Sequence, residues 1–173
     1  EPGPVACVTV FYTADTHFGH AGARSLFKRP FADVPEMDAA MVEGWNETVG
    51  PNDEVWHLGD FAVRVPAAEM EALLARLNGI KHLVVGNNDK DEALRLRGWA
   101  SVTPYAEITV DETRLVLCHY PFRSWNGMHK GVVNLHGHSH GRLKGLPRQI
   151  DVGVDCWNFR PVTMDEMRPP RRR

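Results

Sequence analysis

Val10-Phe11-Tyr12-Thr13-Ala14-Asp15-Thr16-His17 is an apolar run that stops on two potential metal donors. A short run rich in β-branched and aromatic residues reads as a buried strand. The same grammar returns four more times. Val55-Trp56-His57-Leu58 leads into Gly59-Asp60, and Leu83-Val84-Val85 leads into Gly86-Asn87-Asn88-Asp89. Leu115-Val116-Leu117-Cys118 leads into His119, and Val132-Val133-Asn134-Leu135 leads into His136-Gly137-His138-Ser139-His140. Strands laid side by side would bring all five ends to one rim, and ligands of α/β folds collect at the carboxyl edge of their strands.

The segments between these runs supply the other layers. From Asp33, the residues Met37, Met41, Trp45 and Val49 recur at four-residue spacing, with Asp33 and Glu36 placed as a capping box. In Pro66–Asn78 the residues Met70, Leu73, Leu74 and Leu77 form one apolar stripe, opened by Pro66 and closed by Asn78-Gly79. A shorter helix is expected around Asp91–Arg97. Strands are expected at Val8–Ala14, Glu54–Leu58, His82–Val85, Ile108–Val110, Leu115–Cys118, Val132–Leu135 and Ile150–Val154. Helices interleaved with strands first, then mostly strands, predict an α/β layered domain with a mixed sheet.

The donors suit a hard or borderline divalent ion, which takes carboxylate and imidazole together. Residues two apart in an extended segment point the same way, so Asp15/His17 and His138/His140 are each expected to reach a metal. One carboxylate can bridge two ions about 3.5–4 Å apart, and Asp60 is the candidate for that bridge. Gly59, Gly86 and Gly137 beside the donors permit tight backbone.

Composition narrows the classes further. The chain has 173 residues, 22 acidic and 20 basic side chains, 9 histidines and 3 cysteines, which fits one ordinary domain. No apolar run is long enough to cross a bilayer, and Glu1-Pro2-Gly3-Pro4 lacks the pattern of a secretory signal, so no membrane partner is expected. Cys7, Cys118 and Cys156 are odd in number and far apart, which argues against a disulfide framework and for a reducing, cytoplasmic setting. Four of the 20 basic groups lie in the last six residues, leaving a net charge of −6 on the body. Residues 1–167 are therefore read as the domain and 168–173 as a basic tail. A nucleic-acid partner has no support beyond that tail.

Taken together, the five blocks resemble those of the calcineurin-like metallophosphoesterases, whose motifs read D-x-H, G-D, G-N-H-D/E, H and G-H-x-H. Here they stand as Asp15-x-His17, Gly59-Asp60, Gly86-Asn87-Asn88-Asp89, His119 and Gly137-His138-Ser139-His140. Phe18-Gly19-His20 and Asp151-Val152-Gly153-Val154-Asp155-Cys156-Trp157 look like the small, cap-less bacterial and phage members. The resemblance implies an α/β four-layer αββα sandwich of two mixed β-sheets flanked by helices. It also implies two divalent ions, commonly Mn, with Fe, Zn, Ni or Co substituting. One ion would take Asp15, His17, Asp60 and His140; the other would take Asp60, Asn87, His119 and His138. The implied chemistry is hydrolysis of phosphate esters, phosphodiesters or nucleotide-type substrates above all, by in-line attack of a metal-activated hydroxide.

One position departs from the family pattern. The histidine expected after the ligand asparagine is Asn88, which can donate a hydrogen bond but cannot deliver a proton near neutral pH. Losing a general acid costs about 10²–10⁴-fold on poor leaving groups. Either the substrates leave without a proton, or another side chain, with His20, His129 and Arg123 as candidates, supplies one. The alternative is a metal-binding protein of the same fold with little or no activity. A metallo-β-lactamase-type hydrolase is excluded because its His-x-His-x-Asp-His run is missing.

Overall fold

The computed structural model describes residues 7–168; the first six residues and 169–173, which hold nearly all of the expected basic tail, lie outside the described residues. The elements run β1 Val10–Thr13, α1 Ala23–Leu26, α2 Val34–Thr48, β2 Glu54–His57, α3 Ala67–Arg76, β3 Ile80–Val84 and α4 Asp91–Leu94. Then come β4 Trp99–Thr103, β5 Ala106–Val110, β6 Thr113–Leu117, a 3₁₀ turn Met128–Lys130, β7 Val133–His136 and β8 Gln149–Asp151. A second 3₁₀ turn, Val154–Cys156, and α5 Met164–Met167 close the chain.

The strands form two four-stranded sheets, β1-β2-β3-β4 and β5-β6-β7-β8. The second is mixed, as expected: β5 runs antiparallel to β6, while β6, β7 and β8 are parallel. The first, expected to be mixed as well, is instead parallel throughout its strands, because each is joined to the next by a helical crossover, and its antiparallel contact is a single bridge between Tyr12 and Val162. Successive side chains on a strand face opposite ways, and here the two faces serve different cores. Phe11, Val55 and Leu83 point to a layer with Met37, Met41, Trp45, Met70 and Leu74 of α2 and α3. Tyr12, Leu58 and Val84 point the other way, where Leu115, Leu117 and Leu135 of the second sheet and Val152 just past β8 meet them. The outer face of the second sheet carries a thinner cover, Val116, Trp125 and Val132 with Phe122 and Met128.

Local chemistry explains the helices. Asp33 caps α2 by accepting from Glu36 N at 2.8 Å, while the Glu36 carboxylate reaches Ala32 N, so the capping box is displaced by one residue. Trp45 buries its ring and donates from Nε1 to Asn78 O at 2.9 Å, locking α2 to the end of α3. Pro66 is the N-cap of α3 rather than its first residue. The strand missed by pattern is β4: it lies at the sheet edge, only Trp99 is buried, and pairing with β3 shifts register between Lys81 and His82. His82 itself lies within β3, half-buried and stacked on Trp56. Among the described residues no helix is long and apolar enough to cross a membrane.

Candidate metal centre

All the expected donors come to one rim, but not by strand alternation. Asp15, His17, Asp60, His138 and His140 stand at φ values of 56°, 48°, 59°, 66° and 47°. They occupy left-handed turns just past their strands, so the expectation that extended backbone aims Asp15/His17 and His138/His140 is corrected. Such conformations cost non-glycine residues of order 1 kcal/mol or more each and cluster at functional sites. Cross-loop bonds hold the turns: Asp15 N donates to Gly59 O at 2.9 Å, and His17 N to Asp60 O at 3.0 Å. Gly59, at φ 98°, lies so near Gly86 that a side chain on it would meet the Gly86 Cα at 2.6 Å, and a side chain on Gly86 would meet Asp60 Oδ1 at 2.4 Å. Only glycines let the second and third blocks close on each other this tightly.

Two overlapping donor groups result: Asp15, His17 and His140 lie within 4.8 Å of one another through one atom each, and so do Asp15, Asp60 and His119. Asp60 Oδ2 is 3.3 Å from His17 Nε2 and 3.6 Å from His119 Nε2, so it spans both groups. Asn87 Oδ1 lies 2.9 Å from His119 Nε2 and 3.0 Å from His138 Nδ1. His138 N also donates to Asp15 Oδ2 at 2.9 Å, tying the fifth block to the first.

The donor set fits a divalent cation. Among the described residues Asp15 Oδ1 is buried without a hydrogen-bond partner, and His17 Nε2 has the Asp60 carboxylate 3.3 Å away but no well-formed hydrogen bond, an arrangement costly for polar atoms unless something else meets their lone pairs. His119 Nδ1 donates to Leu58 O at 2.7 Å, which leaves Nε2 as the lone-pair nitrogen beside the Asn87 oxygen. Burial, with Asp60 and Asp151 nearby, pushes the Asp15 carboxyl well above the usual carboxylate range. Burial also resists ionisation of Asp60, but His17, His119 and the two Asn88 bonds outweigh it and hold its carboxyl well below that range. Burial lowers the pKa of His17 and His119, favouring the neutral ring that binds metals.

Asn88 does not project into open space. Its backbone N donates to Asp60 Oδ1 at 2.8 Å and its Nδ2 to Asp60 Oδ2 at 2.7 Å. His20 stacks on His17, with the two Nδ1 atoms 3.0 Å apart, and lines a groove beside the cleft together with Asn88. His129 and Arg123 are exposed beyond the second sheet and line no part of the cleft. His57 is packed core, bonded to the Thr16 hydroxyl at 2.9 Å, and His136 Nδ1 donates to Gly137 O at 2.8 Å.

Several supporting residues escaped the sequence reading. Asp155 Oδ2 accepts from His140 Nδ1 at 2.7 Å, and Arg29 grips the same carboxylate with Nε and Nη2 at 2.9 and 3.0 Å. Arg29 also donates to Thr16 O at 2.8 Å and Asp15 O at 2.6 Å, so one buried guanidinium binds the first block to the last. Phe27 stacks on His140 with ring centres 3.5 Å apart. Asp89, quoted in the third block without a role, accepts from Gly86 N and Asp60 N at 2.8 Å and Phe61 N at 3.0 Å. Asp155 and Asp89 sat inside quoted motifs, whereas Arg29 and Phe27 carried no signal.

A helix-backed parallel sheet and a mixed sheet meet at a rim of carboxylates, imidazoles and an asparagine, and this chain belongs to one family with the Gene 66 proteins of Mycobacterium phages D29 and L5. It is 34% identical to the Gene 66 protein of Mycobacterium phage D29 over an alignment covering 92% of this chain and 94% of that protein. It is 31% identical to the uncharacterized protein MJ1445 of Methanocaldococcus jannaschii, over 90% and 87% of the two chains. Among solved structures, the protein of unknown function AQ665 from Aquifex aeolicus superposes with a TM-score of 0.77 at 22% identity, covering 93% of this chain and 98% of that one. That likeness is one of fold. No protein-family model matches the chain.

Proposed function

We propose that the protein is a dinuclear-metal-dependent phosphoesterase acting on phosphodiesters or nucleotide-type esters. The carrying observation is that two buried atoms, Asp15 Oδ1 and His17 Nε2, lack a well-formed hydrogen bond inside a donor cluster in which Asp60 lies between His17 and His119. Asp15, His17, Asp60 and His140 would hold one ion, and Asp60, Asn87, His119 and His138 the other, with Mn the expected metal. Bound there, the ions would activate a water and neutralise phosphate charge.

The chain's own residues do the rest. Asp155 and Leu58 O fix the rings of His140 and His119 by their outer nitrogens, so their inner nitrogens face the cluster. Asn88 holds both oxygens of Asp60 and so acts as a positioning residue. Its amide has no proton to give, which favours leaving groups that depart as stable anions. The cleft, about 260 Å³, has the exposed side chains Asn87, His138 and Arg142 on its edge, where an anionic ester can be met.

Turnover of bis(p-nitrophenyl) phosphate by the Mn-loaded protein, against a chelated control, tests the reading. Metal-dependent hydrolysis with two ions per chain is expected. Two tightly held ions without turnover of aryl esters would overturn it in favour of a metal-binding protein. The substitution Asn88→His is expected to raise turnover of alkyl esters by about 10²-fold or more. An unchanged rate would mean that proton delivery is not what this position withholds.

A further inference from the structure

A second groove opens beside the cleft, and the two share Asn88 as a lining residue. It encloses about 430 Å³ and is lined by Val63, Val65 and Met70, by the cations Arg64 and Lys90, and by the His20 ring. Neither cation is engaged in an ion pair or a side-chain hydrogen bond among the described residues. Both are exposed, and Glu92 is the acidic side chain on the same lining, which leaves the groove with a net positive charge. Arg64 stands at φ 57°, a backbone region that non-glycine residues enter at a cost and that gathers at functional sites.

The groove is built by the same loops as the cleft. Phe18 N donates to Phe61 O at 2.9 Å, and Val63 N returns a bond to Phe18 O at 3.0 Å, so residues 61–63 are laced to the loop that carries His17. The segment from Asp60 to Arg64 therefore runs directly from the candidate bridging carboxylate into the groove. On the other wall, Asn88 is pinned to Asp60, and Lys90 follows two residues later. Anything leaving the cleft past Asn88 enters a space with two free cations and an apolar face.

We propose that this groove receives the leaving half of the substrate, and that the bond split is a phosphoanhydride of a nucleotide pyrophosphate. The inference rests on the hydrolase reading and narrows its substrate class. Water oxygen forms a new bond to the phosphorus in the cleft as the bridging P–O bond breaks. The bridging oxygen leaves on the second phosphate with its electron pair, and the protons of the water pass to solvent. Two phosphate monoesters result. A phosphate leaves as a stable anion and needs no general acid, which matches an amide at Asn88. Arg64 and Lys90 would neutralise the departing charge by charge-assisted hydrogen bonds, and the nucleoside would lie on Val63, Val65 and Met70.

The test compares diadenosine pyrophosphate, a dinucleoside monophosphate with the same bases, and bis(p-nitrophenyl) phosphate on the Mn-loaded protein. The wild type is expected to prefer the pyrophosphate over the dinucleoside monophosphate by at least about tenfold in kcat/KM. The double variant R64A/K90A should lower the ratio of pyrophosphate to aryl diester turnover by at least about 100-fold, in keeping with two charged hydrogen bonds. Lys90→Arg, which keeps the charge, should restore most of the loss from Lys90→Ala. Calorimetric binding of ADP to the metal-free protein should weaken at least about fivefold in the double variant.

An unaltered substrate ratio, or ADP binding equal to the wild type, overturns the inference and leaves the hydrolase reading standing. Failure of the wild type on all three substrates overturns the hydrolase reading, and the inference falls with it.

Discussion

Asp15, His17 and Asp60 stand on the helix-backed sheet, above a layer that includes the fully buried Trp45, Met37 and Leu74, and all three are themselves buried. His138 and His140 follow β7 into residues 141–148, which are exposed, and the outer face of their sheet is covered only by the small cluster around Trp125. The first three donors are ordered by the core beneath them. The last two are ordered by contacts that reach across: His138 N on Asp15, Asp155 and Phe27 on His140. A donor cluster between two sheets therefore has one stiff wall and one wall that must be tied to it. Arg29, buried and clamped on Asp155, Asp15 O and Thr16 O, is the tie.

The most damaging change should fall on the stiff wall at Asp60, which lies between His17 and His119 and is the ligand proposed for both ions. Asp60→Ala is expected to cut metal-dependent turnover by at least about 10²–10³-fold. Elemental analysis should show fewer than two ions per chain. Full activity with two ions would end the case for a bridging role.

Core truncations probe the thickness of the two walls. Trp45→Ala should cost about 3–5 kcal/mol by denaturant unfolding, whereas Trp125→Ala should sit near the low end, roughly 3 kcal/mol, because less surrounds it. Equal losses would mean that the thin outer layer is as strongly packed as the helical one.

Cutting the tie should be milder. Asp155→Asn keeps the volume but removes the charge that orients His140, and such changes typically weaken metal binding by about 10–100-fold. Chelator competition reads this directly. An unshifted affinity would show that Phe27 alone orients the ring.

The smallest effect is one of pH. Burial lowers the pKa of His57 to about 3, against 6.5 for a free imidazole. Between those values the unfolded chain binds a proton that the folded chain refuses. The stabilisation from the neutral ring is thus complete above about pH 6.5 and is lost as the pH falls toward 3, by up to about 1.4 kcal/mol per pH unit. Unfolding midpoints at about pH 7.5 and pH 5 should differ less in His57→Gln than in the wild type. Parallel shifts in both proteins would assign the acid sensitivity to other groups.

Much of this centre was legible as text because its donors sit where strands stop. An apolar run followed by Asp, His or Gly-Asp is a local pattern, and five of them ordered along the chain implied a shared rim. The same logic found both long helices, whose apolar faces repeat within a few residues. It missed β4, an edge strand that buries little, and placed Pro66 one position too far into α3. It also aimed Asp15, His17, His138 and His140 by strand alternation, when left-handed turns aim them. Those turns are held by bonds between segments far apart in sequence, so no local pattern announces them.

The sequence by itself determined the donor types, their order and the absence of a histidine at Asn88, because these are properties of residues and spacing. Only the tertiary structure decided that Asn88 is spent on holding Asp60, that Arg29 joins the two walls, and that Arg64 and Lys90 share a groove with the cleft. These facts depend on contacts between segments separated by tens of residues. Folding fixes such contacts through the packing of two sheets and the geometry of the turns at their rim.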